Sequence, residues 1–458
     1  MTGNMTEGKP LSLIFRFALP LLIGNILQQT YNVIDAAIVG RILGSDSLAA
    51  VGASSSVQFL VLGFCMGICC GFGIPLAQAF GARDMKKLRK YIFHGYLLTG
   101  AAAVIITVIC AVFCSGILKL LSTPEDIFGN AYIYLLIIFL GIPFSLLYNF
   151  LSSILRAVGD SRTPFIFLAI STVLNIILDL VFIICFKWGC AGAAAATVTA
   201  QALSGICCFV FIRKMKPELC LENSDRKFSP KALGTMISMG IPMGLQYSIT
   251  AIGSMVMQSA NNGLGSVFVS GFTAGMRIKQ FIMCPFDAIA TSVSVFAGQN
   301  LGAGKIDRVK SGLAKGIAVG VGYGIAAGLV LIFFGRTLSG IFIDQSETAV
   351  LDAAAKYLRC LGCFYWALGL LNICRMTTQG LGYSGRAVIS GMMEMIARIA
   401  VSVFFADTYG FTAICFADQS AWLAACIYIV PMCFYCVKKA ERNCSGEKSI
   451  KPITFSDN

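Results

Sequence analysis

Twelve stretches of this 458-residue chain stay apolar for 20 residues or more, and about 20 such residues in helical form cross the hydrocarbon core of a bilayer. They run over residues 13–38, 48–80, 92–114, 129–151, 164–186, 191–212, 233–261, 266–300, 312–335, 350–374, 387–406 and 412–437. In lipid every backbone N–H and C=O must be satisfied within the segment, which makes helices the form for runs of this length. The expected fold is an all-α integral membrane protein of twelve transmembrane helices. Composition agrees, with 57% hydrophobic and 12% charged residues, where soluble proteins carry roughly 25% charged residues. The second and eighth spans exceed 30 residues and are expected to tilt, bend or protrude. The opening MTGNMTEGKP is polar and lacks a small-residue cleavage site, so the first span is expected to be retained.

The charge of +13 reads as topology. The N-terminus, residues 83–90, 156–162, 213–231, 305–315, 375–386 and the C-terminal tail together hold 26 of the 35 Lys and Arg. The opposite connections hold Arg41, Lys119, Lys187 and Arg336, with Lys356 and Arg359 just inside the tenth span. Basic loops stay on the cytoplasmic side, so both termini are expected there, in a multi-pass protein of the plasma (inner) membrane. No nucleic-acid partner is expected. The 19 cysteines lie mostly inside apolar segments, as in CMGICC (Cys65, Cys69, Cys70). They read as small hydrophobes, without the soluble clustering of a zinc site, and no redox or metal role is expected for Cys433 and Cys436.

The chain repeats itself. RFALPLLIGN from Arg16 returns as SMGIPMGLQ from Ser238, AQAFGARDMKKLRK from Ala77 as AGQNLGAGKIDRVK from Ala297, and LRAVGDSRTP from Leu155 as TQGLGYSGRA from Thr378. All three echoes are spaced by 220–223 residues. This predicts two pseudo-symmetric six-helix bundles, residues 1–212 and 232–437, joined by a cytoplasmic linker 213–231 and followed by a tail 438–458. Six spans per half put both halves the same way up, the arrangement of parallel-repeat transporters. Glycines spaced by four, Gly63, Gly67 and Gly71 in the second span and Gly316, Gly320, Gly324 and Gly328 in the ninth, suit close helix packing in lipid.

Ionisable residues at membrane depth carry the functional signal, because each costs about 2.5–3.5 kcal/mol to insert. Seven are marked: Asp35, Asp179, Arg277, Lys279, Asp287, Glu394 and Arg398. In the fifth span Asn175 precedes Asp179 by four residues and shares its helix face. In the sixth, Thr197 and Gln201 share another. Asp35, Asn175, Asp179 and Thr197 offer two carboxylates, an amide and a hydroxyl, an oxygen shell for a proton or a sodium ion. Two carboxylates brought close in a poor dielectric titrate as a coupled pair. Carried through the repeat, Asp35 falls on Val256 or Met257, Asn175 on Arg398 and Asp179 on Ser402, so coupling is expected in the first half alone. Glu394 and Arg398, four apart, are expected to pair. Arg277, Lys279 and Asp287 read either as a pairing within the bundle or as cavity lining. The methionines of the seventh span (Met236, Met239, Met243, Met255, Met257) favour packing over a drug surface, and His94 is not expected to take part in coupling. No GxxxxGK[ST] loop or soluble domain exists to bind a nucleotide, so an ion gradient is the expected energy source. An enzyme has no motif in its favour.

These residues resemble the multidrug and toxic compound extrusion (MATE) transporters over nearly the whole chain. The segments are LPLLIGNILQQTYNVIDAAIVGRILG, GFGIPLAQAFGARD, LRAVGDSRTP, NIILD and VFAGQNLGAG. The resemblance implies export of organic, often cationic compounds in exchange for protons or sodium ions, by rocking of two lobes. In the branch that includes the DNA-damage-inducible F-type proteins it implies a cation site at Asp35, Asn175, Asp179 and Thr197, and a bend of the first helix near Pro20. The sodium-driven branch uses acids in the seventh and tenth helices. Here the seventh span has none and the tenth only Asp352 at its rim, which favours a proton. The partners implied are small organic substrates and the bilayer, for a monomer with no cofactor beyond H+ or Na+. The rival is a flippase of lipid-linked oligosaccharide or polysaccharide from the same superfamily, which would want a cationic cavity; Arg277, Lys279 and Arg398 could line one.

Overall fold

The structure is a computed structural model that describes residues 3–121 and 123–445. Four turns in each half pass through residues of positive φ: Gly44 (88°), Arg83 (59°), Gly159 (83°) and Gly189 (58°) in the first half, and Gly265 (104°), Gly304 (70°), Gly382 (91°) and Gly410 (55°) in the second. Glycine enters this left-handed region without the Cβ clash that disfavours it for other residues; Arg83 and, two residues before Gly189, Lys187 (56°) are the non-glycines that do so among the described residues. The four positions of the first half recur 221–223 residues later in the second, so the repeat seen in sequence is also a repeat of turns.

The first half contains α1 (Pro10–Leu43), α2 (Ser45–Gly81), α3 (Met85–Leu120), α4 (Glu125–Leu140), α5 (Ile142–Ala157), α6 (Arg162–Leu180, extended by a π turn, Val181–Cys185) and α7 (Gly189–Met215). The second contains α8 (Pro230–Asn262), α9 (Ser266–Gly302), α10 (Ile306–Ser339), α11 (Thr348–Gly380), α12 (Ser384–Phe404), the short α13 (Ala406–Tyr409) and α14 (Phe411–Cys444). No strand occurs among the described residues. Ten of these helices are each long and apolar enough to cross a membrane, and α4 with α5 makes an eleventh span, bent by 44°. The break falls at Gly141, just ahead of Pro143. The twelfth is α8, 33 residues long, whose Gln246, Ser248, Thr250, Ser254 and Gln258 dilute its apolar character. Excess length is not confined to the second and eighth spans. Eight helices have 33–37 residues, about 50–55 Å at 1.5 Å per residue, well beyond a core of about 30 Å.

Two boundaries differ from the sequence reading. Arg375, counted with a loop, lies inside α11 and is buried. The expected tail begins as helix, since α14 runs to Cys444; residues 446–458 lie outside the described residues. Pro20 sits within α1 without interrupting it.

The halves meet along α2, α8 and α9 at the end that carries the basic loops. Gly67 and Gly71 of α2 face the backbone of α8, where a Cβ would fall 2.7 Å from the Met243 oxygen and 2.5 Å from the Met239 oxygen. Gly81 packs on Gln299 and Gly302 on Gln78 in the same backbone-to-backbone manner. Each of these glutamines also crosses the seam: Gln78 Nε2 donates to the Gly380 oxygen (3.0 Å) and Gln299 Nε2 to the Ala157 oxygen (2.8 Å). The chain start is strapped over this seam. Met5 N donates to Gln299 Oε1 (2.9 Å), while Asn300 and Arg308 donate to the Met5 oxygen and Lys305 to the Thr6 oxygen. Ile14, Phe17 and Ala18 of α1 join the second half's core, and Ala232 and Met236 of α8 join the first half's. Towards the opposite end the same stripes lose their cover. Ser56 of α2 and Gln280 and Asp287 of α9 are exposed, so a cleft opens away from the basic end.

The segment between the halves is folded. Arg89 bonds Asp225 (2.7 Å) and Glu222 (3.0 Å). His94 Nε2 accepts from Ser229 N (2.9 Å) while Nδ1 donates to the Lys90 oxygen (2.7 Å), a structural task. Met236, Met243 and Met257 are buried and serve packing. The glycines of α10 admit the backbone of α11, with Gly324 against Tyr365 and Trp366.

Candidate functional site

Asn175 and Asp179, one turn apart on α6, point inward because their neighbours Val173 and Ile177 take the lipid face. Asp179 is fully buried and Asn175 nearly so. The start of α7 brings Thr197 beside them, and α1 contributes Tyr31 and, one turn on, Asp35. Asn175 ties the three helices. Oriented with Nδ2 towards Asp179, it donates to Asp179 Oδ2 (2.8 Å) and the Tyr31 hydroxyl (3.1 Å) while accepting from Thr197 N (3.0 Å). Tyr31 and Thr197 hydroxyls meet at 3.1 Å, and Thr197 Oγ1 donates to the Ala193 oxygen (3.1 Å).

The Asp35 and Asp179 carboxyl groups lie within hydrogen-bonding reach of each other. Two ionised carboxylates repel at that range, so the arrangement holds together with one proton, or another small cation, between them. One oxygen of each, Oδ1, is enclosed without a hydrogen-bond partner. Tyr134 of α4 faces both acids and lies within reach of Gln58 of α2. The four residues singled out in the sequence therefore converge, and Tyr31, Tyr134 and Gln58 complete the cluster. Their type carries no charge signal, but Tyr31 is one turn before Asp35 on the same face.

The second half holds a charged network. Lys279 of α9 bonds Asp418 of α14 (2.5 Å). Asp418 also accepts from the Tyr357 hydroxyl (3.1 Å) and from Arg398 Nε and Nη2 (3.0 Å each). Arg398 reaches Glu394 (3.0 Å), and Glu394 takes Arg375 (2.6 Å), whose Nε bonds Ser390 (3.1 Å). All five charged groups are at most 8% exposed at their side chains. The expected Glu394–Arg398 pair forms, but as one of four ion pairs that join these five groups. A Lys279–Asp287 pairing does not: Lys279 is held by Asp418 across the bundle, which same-helix spacing cannot show. Asp418 itself was not among the seven marked charges, although it sits in the apolar run 412–437. Arg277 is half-buried and Asp287 exposed, neither in an ion pair among the described residues. Asp287 stands near Tyr247, whose Cβ approaches Gly63 of α2.

The MatE family profile matches this chain twice, over residues 20–181 and 242–404, and the spacing of the two matches agrees with that of the echoes and turns. The chain is 31% identical over 420 residues to the probable multidrug resistance protein YpnP of Bacillus subtilis, covering 92% of this chain and 91% of that one. It is 22% identical to the multidrug export protein MepA of Staphylococcus aureus, over 91% and 92% of the two chains. In fold it resembles a multidrug resistance MATE family transporter of the MOP superfamily solved in an outward-facing conformation, with TM-score 0.89 at 21% identity over 96% and 98% of the chains. With its doubled helical half, its membrane spans and these matches, the chain belongs to the MatE family of membrane transporters.

Proposed function

We propose that this chain is a cation-coupled antiporter that exports organic, often cationic compounds by alternating access between two lobes, residues 1–212 and 232–437. The observation that carries the reading is the Asp35–Asp179 carboxyl pair, held by Asn175, Thr197 and Tyr31. A site with two acids and, among the described residues, no basic side chain paired with either gains from taking up an ion and must release it for the cycle to turn. A proton is favoured over sodium, because the two acids lie within hydrogen-bonding reach of each other and one proton bridges them directly. The cluster residues support a reading of the chain as closest to the DNA-damage-inducible F-type branch, with Pro20 as the point where α1 would bend when the pair changes charge. The basic loops favour a cytoplasmic setting for that end, for both termini and for the linker 213–231, in the plasma (inner) membrane of a monomeric protein without cofactor. Asp287, exposed and unpaired in the cleft, is available to an organic cation.

The multidrug names of the relatives support efflux over a lipid-oligosaccharide flippase. The flippase reading also needs free cations, and of its three candidates Lys279 and Arg398 are neutralised by Asp418 and Glu394, which leaves Arg277 alone without an ion pair among the described residues. The test is efflux of a fluorescent organic cation from proteoliposomes under separately imposed proton and sodium gradients. Gradient-driven efflux is expected in the native protein and lost in Asp35→Asn and Asp179→Asn. Full activity in either variant would sink the mechanism.

A further inference from the structure

The repeat gives each residue of the cation cluster a counterpart in the second half, and landmarks on each helix set the register. Pro20 and Pro242 mark α1 and α8. Gly44 and Gly265 precede α2 and α9, Gly159 and Gly382 precede α6 and α12, and Gly189 and Gly410 precede α7 and α14, each pair with matching positive φ. α4 and α11 begin at residues 125 and 348. Carried through these registers, Gln58 falls on Lys279, Tyr134 on Tyr357, Asn175 on Arg398 and Thr197 on Asp418. These four counterparts are bonded to one another in the charged network. The two acids, Asp35 and Asp179, fall on Met257 and Ser402. The same constellation thus occurs twice with its charge inverted.

The geometry follows the register. In the first half Asn175 bridges α6 to Thr197 and to the Tyr31 hydroxyl. In the second, Arg398 bridges α12 to Asp418 with two bonds. Its third nitrogen, Nη1, lies 3.2 Å from where a Cβ on Gly253 would stand, and Gly253 is the counterpart of Tyr31. The guanidinium therefore takes the volume opened by the missing side chain. Nη1 is enclosed there without a partner on a residue only 2% exposed, and Ser402 Oγ beside it on α12 also has none.

We propose that the second half contains a closed copy of the cation site, in which the guanidinium of Arg398 and the ammonium of Lys279, at the places of Asn175 and Gln58, are held permanently by Asp418 and take the role that an exchangeable cation plays in the first half. A cation tied to the chain cannot leave with the cycle. That half neither gains nor loses charge, stays bonded across α9, α11, α12 and α14, and moves as one body, so exchange is confined to the first half. The proposal rests on the reading of Asp35 and Asp179 as the exchange site.

Truncating Arg398 to Ala should leave a dry slot lined by the Asp418 and Glu394 carboxylates that fits a free guanidinium ion. The experiment measures the thermal unfolding midpoint of the purified full-length protein in detergent, native and Arg398→Ala. The additive is guanidinium at millimolar concentration, far below its denaturing range of molar additions, or urea, which has similar shape but no charge. The expected result is a saturable rise in midpoint with guanidinium in Arg398→Ala alone, absent with urea and abolished by adding Asp418→Asn. An equal response to urea, or none to either, overturns the proposal. Lys279→Ala with methylammonium against methanol runs the same test on the second fixed cation and depends on a different variant folding; a matching response only to the cation is expected, and indifference overturns the proposal there too. Because the readout is stability, its failure leaves the transport reading standing, and efflux by Asp35→Asn tests that reading separately.

Discussion

Asp179→Asn separates coupling from architecture. Asp179 is fully buried, and its Oδ2 accepts from Asn175 Nδ2 at 2.8 Å. An asparagine has the same shape and keeps an oxygen to accept that bond, so stability should change by no more than about 1 kcal/mol, the net value of one ordinary hydrogen bond. What disappears is the proton shared with Asp35. Each elementary charge returning down a gradient equivalent to 100 mV supplies about 2.3 kcal/mol. At about 1.4 kcal/mol per tenfold, that sustains a concentration ratio of roughly 50. In proteoliposomes with an imposed proton gradient, the native protein should concentrate a fluorescent organic cation towards that ratio, while Asp179→Asn should only equilibrate it. The unfolding midpoint, measured on the same preparations, should be nearly unchanged. A variant that concentrates dye as the native protein does, with its midpoint intact, would refute the assignment of the coupled proton to this pair.

Three further outcomes test the surrounding structure. Gly71→Leu places carbon within 2.5 Å of the Met239 oxygen and overpacks the seam at a cost of about 1–3 kcal/mol; spin labels at Arg83 and Lys305 should move apart, and an unchanged distance distribution would count against the seam. Glu394→Gln removes the anion shared by Arg375 and Arg398, leaving buried charge uncompensated at about 3–5 kcal/mol; the unfolding midpoint should fall by several degrees, and an unaltered midpoint would contradict the network. Gln299→Ala strips partners from Met5 N and the Ala157 oxygen, worth about 1–3 kcal/mol if they stay dry; amide deuterium uptake over residues 3–9 should speed up, and native protection there would argue against the strap.

Much of this was legible in the sequence because lipid imposes few solutions. Apolar runs mark the helices, and the echo of AQAFGARDMKKLRK in AGQNLGAGKIDRVK marks the doubled half. Asp35, Asn175, Asp179 and Thr197 stood out because polar groups at membrane depth have to meet one another. What stayed hidden followed from reading one helix at a time. Spacing along α9 suggested Asp287 for Lys279, but the partner is Asp418 on α14, over a hundred residues away. Arg375 was counted with a loop because a basic residue normally ends an apolar run, and only Glu394 opposite it explains why α11 carries it inward. Tyr31, Tyr134 and Gln58 carry neither charge nor periodicity and become visible only when three or four helices are placed together.

The glycine seam between α2 and α8 bears on how quickly such a machine can turn. Side chains that interdigitate act as gear teeth, and separating them requires each to leave its rotamer well in turn. At Gly67 and Gly71 one backbone ridge rests on another, and beside them Phe64, Ile68 and Phe72 of α2 seat on Gly240 and Gly244 of α8, which have no side chain to interlock with them. Such a contact is one-sided, held shut by dispersion over its length, with side chains to release from α2 but none from the facing glycines of α8. Among the polar bonds that cross it, those of Gln78 and Gln299 stand in repeat-equivalent places, each gripping the opposite half by one carbonyl. Two matched catches on such a joint release together, and that favours a lobe motion with two end states over one that stops part-way.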